Sequence, residues 1–390
     1  MKIVHTADWH IGKIVNEYHM TKDQEYILNQ FVGLISEEKP DALIIAGDIY
    51  DRSVAPVEAV ELLDKVLGTI ILDYKIPVFV VAGNHDSPER IDFGSGIMKS
   101  KGLYIEGIFK KDTAKIVLND QYGPVNFYLL PYADPALVRD VFEDISIRTH
   151  EDAMTAVMQR IRSNINQNER NIMITHAYVK GNHDPEISES ERPLTIGGTE
   201  AVSHELFHDF CYTALGHLHS PQKAGRDNIS YSGSLLKYSF SEIKQKKGIN
   251  IVNIDGNGKA TIETIELKPM RDMRIIRGQL KNLLDPEVYK NTNREDYIKA
   301  ILTDKEELVE PMRKLKSVYP NIMLLEMEER LGRKERVLSA EKCRERSKLE
   351  LFKEFYKSIN DTELAGENLG FLSKVIEEVE KKGEDYNEAN

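Results

Sequence analysis

The sequence predicts an α/β fold with helices packed against a sheet. Three features carry that prediction: short apolar runs of strand length, segments of helical period between the first of them, and closely spaced strands further on. The runs are Lys2–Ala7, Ala42–Ala46, Pro77–Ala82, Asn126–Leu130, Asn171–Thr175, Tyr212–Leu215, Ile229–Ser232 and Ile249–Ile254. Several are apolar throughout, as strands buried on both faces are. Glu25–Glu37 and Ala55–Asp73 fall between the first three and have helical length and period, so the chain opens β-α-β-α-β. Later strands are separated by turns such as Asp255-Gly256-Asn257-Gly258, which predicts that part of the sheet system is antiparallel.

A boundary is expected at Lys268-Pro269, closing a first domain of residues 1–268. A smaller mixed unit follows over 269–331, with helical stretches at Arg294–Leu302 and Leu308–Tyr319. Residues 332–390 form the third segment. It opens within a basic run spanning Arg330–Lys348, read as a solvated linker. Two amphipathic helices then close the chain. Leu349, Phe352, Phe355, Tyr356 and Ile359 recur at helical spacing in one, and Leu369, Leu372, Val375, Ile376 and Val379 in the other.

The bulk numbers narrow the class. A chain of 390 residues, 41% hydrophobic and 30% charged, has a real core and room for two or three domains. Its net charge of −12 argues against a protein that coats nucleic acid by general basicity. A nuclease remains compatible, because bound divalent cations can supply the positive charge that phosphate needs. Met1–Asp8 has neither a basic n-region nor a long apolar h-region, and Cys211 and Cys343 form no metal or redox spacing. A reducing cytoplasm is the expected location.

The chemistry is carried by Asp, Asn and His residues placed where apolar strands stop. Asp8 and His10 follow the first run, and Asp48 and Asp51 follow the second. Asn84, His85 and Asp86 follow the third, His176 ends a later one, and His217 and His219 end another. Open α/β sheets gather ligand sites at the carboxyl ends of their strands, so groups distant in sequence can converge. Gly47, Gly83 and Gly216 each precede a candidate ligand, where the lack of a side chain eases a sharp exit from the strand. Carboxylate, amide and imidazole donors without thiolate suit borderline divalent metals such as Mn²⁺, Fe²⁺ or Zn²⁺. Seven such groups exceed what one ion uses, and a carboxylate can bridge two ions about 3.5–4 Å apart; Asp48 is the candidate bridge. Gly181-Asn182-His183-Asp184 repeats the third motif, but no apolar strand runs into it, so it reads as a surface loop. His5, His19, His150, His204 and His208 lack motif context and read as structural.

Asp8-x-His10, Gly47-Asp48-x-x-Asp51, Gly83-Asn84-His85-Asp86, His176 and Gly216-His217-x-His219 together resemble the signature of the calcineurin-like metallophosphoesterases. Ser188-Glu189-Ser190-Glu191-Arg192, Ile196-Gly197-Gly198, Tyr231-Ser232-Gly233-Ser234 and Tyr238-Ser239-Phe240-Ser241-Glu242 are similar to the nuclease subunits of bacterial SbcCD-type complexes. The resemblance implies a sandwich of mixed sheets flanked by helices, a small α/β capping domain facing DNA, and C-terminal helices that dock on an SbcC-type ATPase with coiled coils. It implies two divalent ions, Mn²⁺ foremost. One would be held by Asp8, His10, Asp48 and His219, the other by Asp48, Asn84, His176 and His217. His85 would be catalytic, Asp86 would orient it, and Asp51 would lend support. A homodimer within a heterotetramer, acting on DNA ends and hairpins, completes the implied picture. A small-substrate phosphoesterase would need neither capping unit nor terminal helices, and a non-catalytic tethering subunit would not keep every one of these groups.

Overall fold

The computed structural model describes residues 1–191, 200–306 and 308–328, with Leu349, Phe352, Lys353 and Tyr356. Ile196-Gly197-Gly198, the basic run Arg330–Lys348 and, those four positions apart, the expected closing helices lie outside the described residues. The described residues divide into two compact units, Met1–Arg274 with Glu295–Tyr297, and Ile275–Arg294 with those from Ile298 onward. Among the described residues no helix is long and apolar enough to cross a membrane.

The first unit begins with the predicted alternation. Strand β1 (Lys2–Thr6) leads to α1 (Thr21–Glu38), β2 (Ala42–Ala46), α2 (Val57–Gly68), β3 (Val78–Val81) and β4 (Leu103–Glu106). β1 to β4 pair in parallel in that order. The helix expected over Ala55–Asp73 is α2 followed by a π-helical turn, Thr69–Asp73. The hairpin β5 (Ala114–Asp120) and β6 (Gly123–Leu130) opens a second sheet. After α3 (Pro135–Phe142) and α4 (His150–Arg162), this sheet grows in parallel through β7 (Arg170–His176), β8 (Tyr212–Gly216) and β10 (Ile229–Tyr231), and β9 (Gln222–Lys223) edges it. The chain then returns to the first sheet, where β11 (Gly248–Ile254) lies antiparallel to β1 and β12 (Ala260–Glu266) lies outside β11. Both sheets have six strands and both are mixed.

The sheets pack face to face. Ile3, Ile44, Phe79 and Val252 from one meet Phe127, Ile174, Tyr212 and Ala214 from the other, and Phe79 stacks on Phe127 with centroids 4.2 Å apart. Alternate residues of a strand point to opposite faces. Tyr128, Leu130, Met173 and Leu215 therefore bury against Val138, Val157 and Ile161 of α3 and α4. Strands covered on both faces account for the unbroken apolar runs.

The second unit holds a three-stranded sheet in the order β13 (Met273–Gly278), β14 (Tyr297–Leu302), β15 (Ile322–Met327), with helix α5 at Pro311–Lys316. Its core gathers Leu280, Leu283, Ile298, Ala300, Leu302, Leu315 and Tyr319. The helix expected over Arg294–Leu302 is not there: the segment from Tyr297 onward is β14, parallel to β15. Ile298, Ala300 and Leu302 are buried at a period of two while Lys299 and Ile301 are only partly covered, which is a strand's alternation.

Candidate metal centre

The candidate site sits in the first unit, at the carboxyl ends of β1, β2, β3, β7 and β8. Leaving these strands requires unusual backbone. Asp8, His10, Asp48 and His217 have φ of 54°, 45°, 50° and 109°. Left-handed conformations in residues with a Cβ cost on the order of 1–3 kcal/mol each and persist only where the surroundings enforce them. Enforcement comes from main-chain bonds between the two loops. Asp8 N–H donates to Gly47 O at 3.0 Å, His10 N–H to Asp48 O at 2.9 Å and Ile11 N–H to Ile49 O at 2.9 Å.

The three glycines do more than ease a turn. Only Gly47 is left-handed, at φ 91°. At Gly83 a Cβ would lie 2.1 Å from Asp48 Oδ1, and at Gly216 one would lie 1.8 Å from Ala46 O. A side chain at either position would enter the space that neighbouring site loops fill.

The side chains converge. His10 Nε2 and His219 Nε2 are 3.0 Å apart. Asp48 Oδ2 lies 3.6 Å from His10 Nε2, 3.5 Å from His176 Nε2 and 4.0 Å from His85 Nε2. Asn84 Oδ1 is 2.9 Å from His176 Nε2 and 3.3 Å from His217 Nδ1. The Asp8 carboxylate accepts the His217 N–H at 3.0 and 3.2 Å. Ligand atoms of Asp8, His10 and His219 fall within 4.8 Å of one another, as do those of Asp8, Asp48 and His176, and those of His10, Asp51 and His85. All seven candidate ligands therefore meet in one place, with Asp48 between the His10–His219 pair and the His176–Asn84 pair.

Electrostatics fit a cation. Burial pushes His10 and His217 well below the usual imidazole range, and lowers His176 and His219 as well, so the rings are neutral lone-pair donors. Asp8 is driven well above the ordinary carboxylate range by burial and then by the charge of Asp48. Without an ion Asp8 is thereby held toward its neutral form, and a divalent ion among these carboxylates and neutral imidazoles would favour the ionised one. The residues present thus match the oxygen and nitrogen donor set of borderline divalent metals.

His85, Asp86 and Asp51 take distinct places. The His85 Nδ1–H donates to the main-chain oxygen of Asp51 at 2.9 Å, which leaves Nε2 facing the centre. The expectation that the Asp86 carboxylate orients His85 is corrected. Asp86 instead accepts the N–H groups of Gly83 (2.9 Å), Tyr50 (3.0 Å) and Ile49 (3.2 Å), tying the loops after β2 and β3 together. Burial, then the charge of Asp48, still push Asp86 up to about 7. The Asp51 carboxylate pairs with Lys13 Nζ at 2.6 Å and stands 3.6 Å from His10 Nδ1.

The family profile described as calcineurin-like phosphoesterase matches residues 1–221, and the one described as type 5 capsule protein repressor C-terminal domain matches 269–360. The SbcD subunit of nuclease SbcCD from Staphylococcus epidermidis is 39% identical over 325 residues, covering 83% of this chain and 85% of that protein. The chain belongs to the calcineurin-like phosphoesterase family and, within it, to the SbcD nuclease subunits. Two solved structures resemble it more distantly. TT1561 of Thermus thermophilus is 13% identical with a TM-score of 0.37, over 68% of this chain and 98% of that one. A dimetal phosphatase from Danio rerio is 11% identical with a TM-score of 0.37, over 69% and 98%.

For a calcineurin-like phosphoesterase, a divalent-metal centre is the expected use of this cluster. Residues without an assigned role in the sequence reading surround it. Ser190 Oγ meets His219 Nδ1 at 2.6 Å, Glu191 Oε1 accepts the His219 N–H at 2.7 Å, and buried Glu242 pairs with buried Lys247 at 2.6 Å. Ser190, Glu191 and Glu242 lie in motifs that carried the family resemblance, but no spacing rule links them to His219. Gln24, on α1, donates to His10 O at 2.7 Å and accepts the Gly12 N–H at 2.9 Å, bracing the first motif. Asn182, His183 and Asp184 are exposed in a loop, as a surface repeat of the third motif should be. His5 is buried with Nδ1 2.7 Å from Tyr212 Oη, and burial lowers it to about 3.

Proposed function

We propose that the chain is a two-metal phosphodiesterase that cuts DNA as the nuclease subunit of an SbcCD-type complex, with Mn²⁺ as the working ion. The position of Asp48 Oδ2, 3.6 Å from His10 Nε2 and 3.5 Å from His176 Nε2, carries the two-metal reading. A carboxylate oxygen so placed could serve two neighbouring ions. Asp8, His10 and His219 complete one set, and Asn84, His176 and His217 the other. When bound, the ions supply Lewis acidity to a scissile phosphate and lower the pKa of an attacking water. His85, held by the Asp51 carbonyl, turns Nε2 toward the centre, where it stabilises developing charge or protonates the leaving sugar oxygen.

The substrate and partner follow from the family. The nuclease subunit reading supplies 3′–5′ exonuclease activity on double strands and endonuclease activity on single strands and hairpins, in DNA end processing, recombination and repair. On this reading residues 1–268 are the nuclease domain, 269–331 face DNA, and 332–390 dock on a coiled-coil SbcC-type ATPase in the cytoplasm. A homodimer within a heterotetramer is supported by an apolar cleft in which Val60, Leu72, Phe93 and Ile97 stand exposed at 47%, 53%, 83% and 80%. Isolated apolar residues are ordinary on a surface, but a lined cleft of them marks an interface. The deciding test is the purified complex with Mn²⁺, with and without ATP, on blunt, hairpin and single-stranded DNA. Absence of metal-dependent cleavage of all three would overturn the reading.

A further inference from the structure

Beneath the metal-centre side chains lies a second, buried polar system centred on His219. The main chain of His219 is gripped at three points. Its N–H donates to Glu191 Oε1 at 2.7 Å, and its carbonyl accepts from Lys247 Nζ at 2.7 Å and from the Ser234 N–H at 3.2 Å. On the ring, Nδ1 meets Ser190 Oγ at 2.6 Å.

Behind Ser190 stands Glu242, which is 0% exposed. A carboxylate paired with Lys247 Nζ at 2.6 Å only accepts, so the Ser190 hydroxyl proton points to Glu242 Oε1. The Ser190 oxygen is thereby left to accept the Nδ1–H of His219. One imidazole tautomer results, with the Nε2 lone pair directed at His10 Nε2 and the candidate centre. Glu242 is itself held: Ser239 Oγ donates to Oε1 at 3.1 Å and the Tyr238 N–H to Oε2 at 3.3 Å. Lys247 Nζ also donates to Gln245 Oε1 at 2.7 Å. Two other imidazoles of the cluster are backed differently, and His10 Nδ1 stands 3.6 Å from the Asp51 carboxylate with no hydroxyl between. His176 Nδ1 rests on the Ala46 carbonyl at 2.9 Å, and His10 Nδ1 has no hydrogen-bond partner among the described residues.

We propose that Glu242, acting through the Ser190 hydroxyl and anchored by Lys247, is a positioning residue that presents His219 to one of the two metal sites. This rests on the two-metal reading of the centre and deepens it. A carboxylate behind a ligating histidine fixes the ring and raises its basicity, and removing such a partner typically lowers metal affinity about 10–100-fold. The effect is confined to the site that His219 serves.

Mn²⁺ binding to the full-length chain, followed by calorimetry and by metal content after gel filtration, tests this without reference to cleavage. Wild type should take up two ions. Ser190→Ala and Glu242→Gln should each weaken one ion about 10–100-fold and leave the other at wild-type affinity, and Ser190→Thr, which keeps a hydroxyl, should restore the first. Ser190→Ala removes a single partly exposed oxygen, so it decides the matter if Glu242→Gln does not fold. Two wild-type affinities in Ser190→Ala, or equal weakening of both ions, overturns the positioning role while the two-metal reading stands. Fewer than two ions in wild type overturns both.

Discussion

The His85 Nδ1–H donates to the main-chain oxygen of Asp51 at 2.9 Å, so the loop after β2 sets the direction of a ring borne by the loop after β3. Because the partner is a carbonyl, Nδ1 keeps its proton and Nε2 is the atom that exchanges one. His85→Ala should bind Mn²⁺ in wild-type amount and cut DNA about 10²–10⁴-fold more slowly. Wild-type cleavage by this variant would remove His85 from the chemistry.

Asp48 Oδ1 accepts the His85 N–H at 2.9 Å while Oδ2 faces His10 and His176. Asp48→Ala should therefore lose both ions in elemental analysis. Retention of two ions per chain would show that another oxygen bridges them.

The pH dependence of metal-free stability follows from raised carboxylates. Burial, then the charge of Asp48, push Asp86 up to about 7, and burial pushes Glu191 up to about 7. A group whose folded pKa is raised binds more protons folded than unfolded, so its contribution to stability falls as pH rises from about 4 to 7. A divalent ion held at the candidate centre would supply positive charge near Asp86 and favour its ionised form. The Tm difference between Mn²⁺-loaded and chelator-treated protein should widen from pH 5.5 to 7.5. A constant gap across that range would contradict the account.

Gly83 and Gly33 make a matched pair. A Cβ at Gly83 would meet Asp48 Oδ1 at 2.1 Å, whereas one at Gly33, on the exposed face of α1, meets nothing within 4 Å. Gly83→Ala should cost about 1–3 kcal/mol in denaturant unfolding and disturb metal binding. Gly33→Ala should stabilise by about 0.5–1 kcal/mol. Equal effects would show that the crowding at Gly83 is relieved by loop movement.

The apolar cleft around Phe93 and Ile97 predicts self-association. Phe93→Glu with Ile97→Glu should halve the mass measured by light scattering and leave Mn²⁺ binding unchanged. An unchanged dimer would place the interface elsewhere.

The strand-end motifs and the opening alternation were readable because each depends on neighbours in sequence. An apolar run is buried on both faces, its end is where polar atoms first meet solvent or ligand, and a tetrapeptide without such a run before it is a loop. Tertiary structure decided the rest, since those features depend on groups far apart in the chain. The period-two burial of Ile298, Ala300 and Leu302 became a strand because Ile322–Met327 was there to pair with it. Gly83 and Gly216 proved necessary for the space that Asp48 Oδ1 and Ala46 O occupy, more than for their own backbone angles. The Asp51 carbonyl, and not Asp86, took hold of His85, because folding brought a main-chain acceptor to Nδ1 and three amides to the carboxylate. Likewise Glu242 and Lys247 gained meaning only when burial made a paired charge the way to keep a carboxylate behind His219. The sequence by itself determined which atoms are available to hold metal ions; the fold determined which face the centre, which stand behind, and which hold the loops.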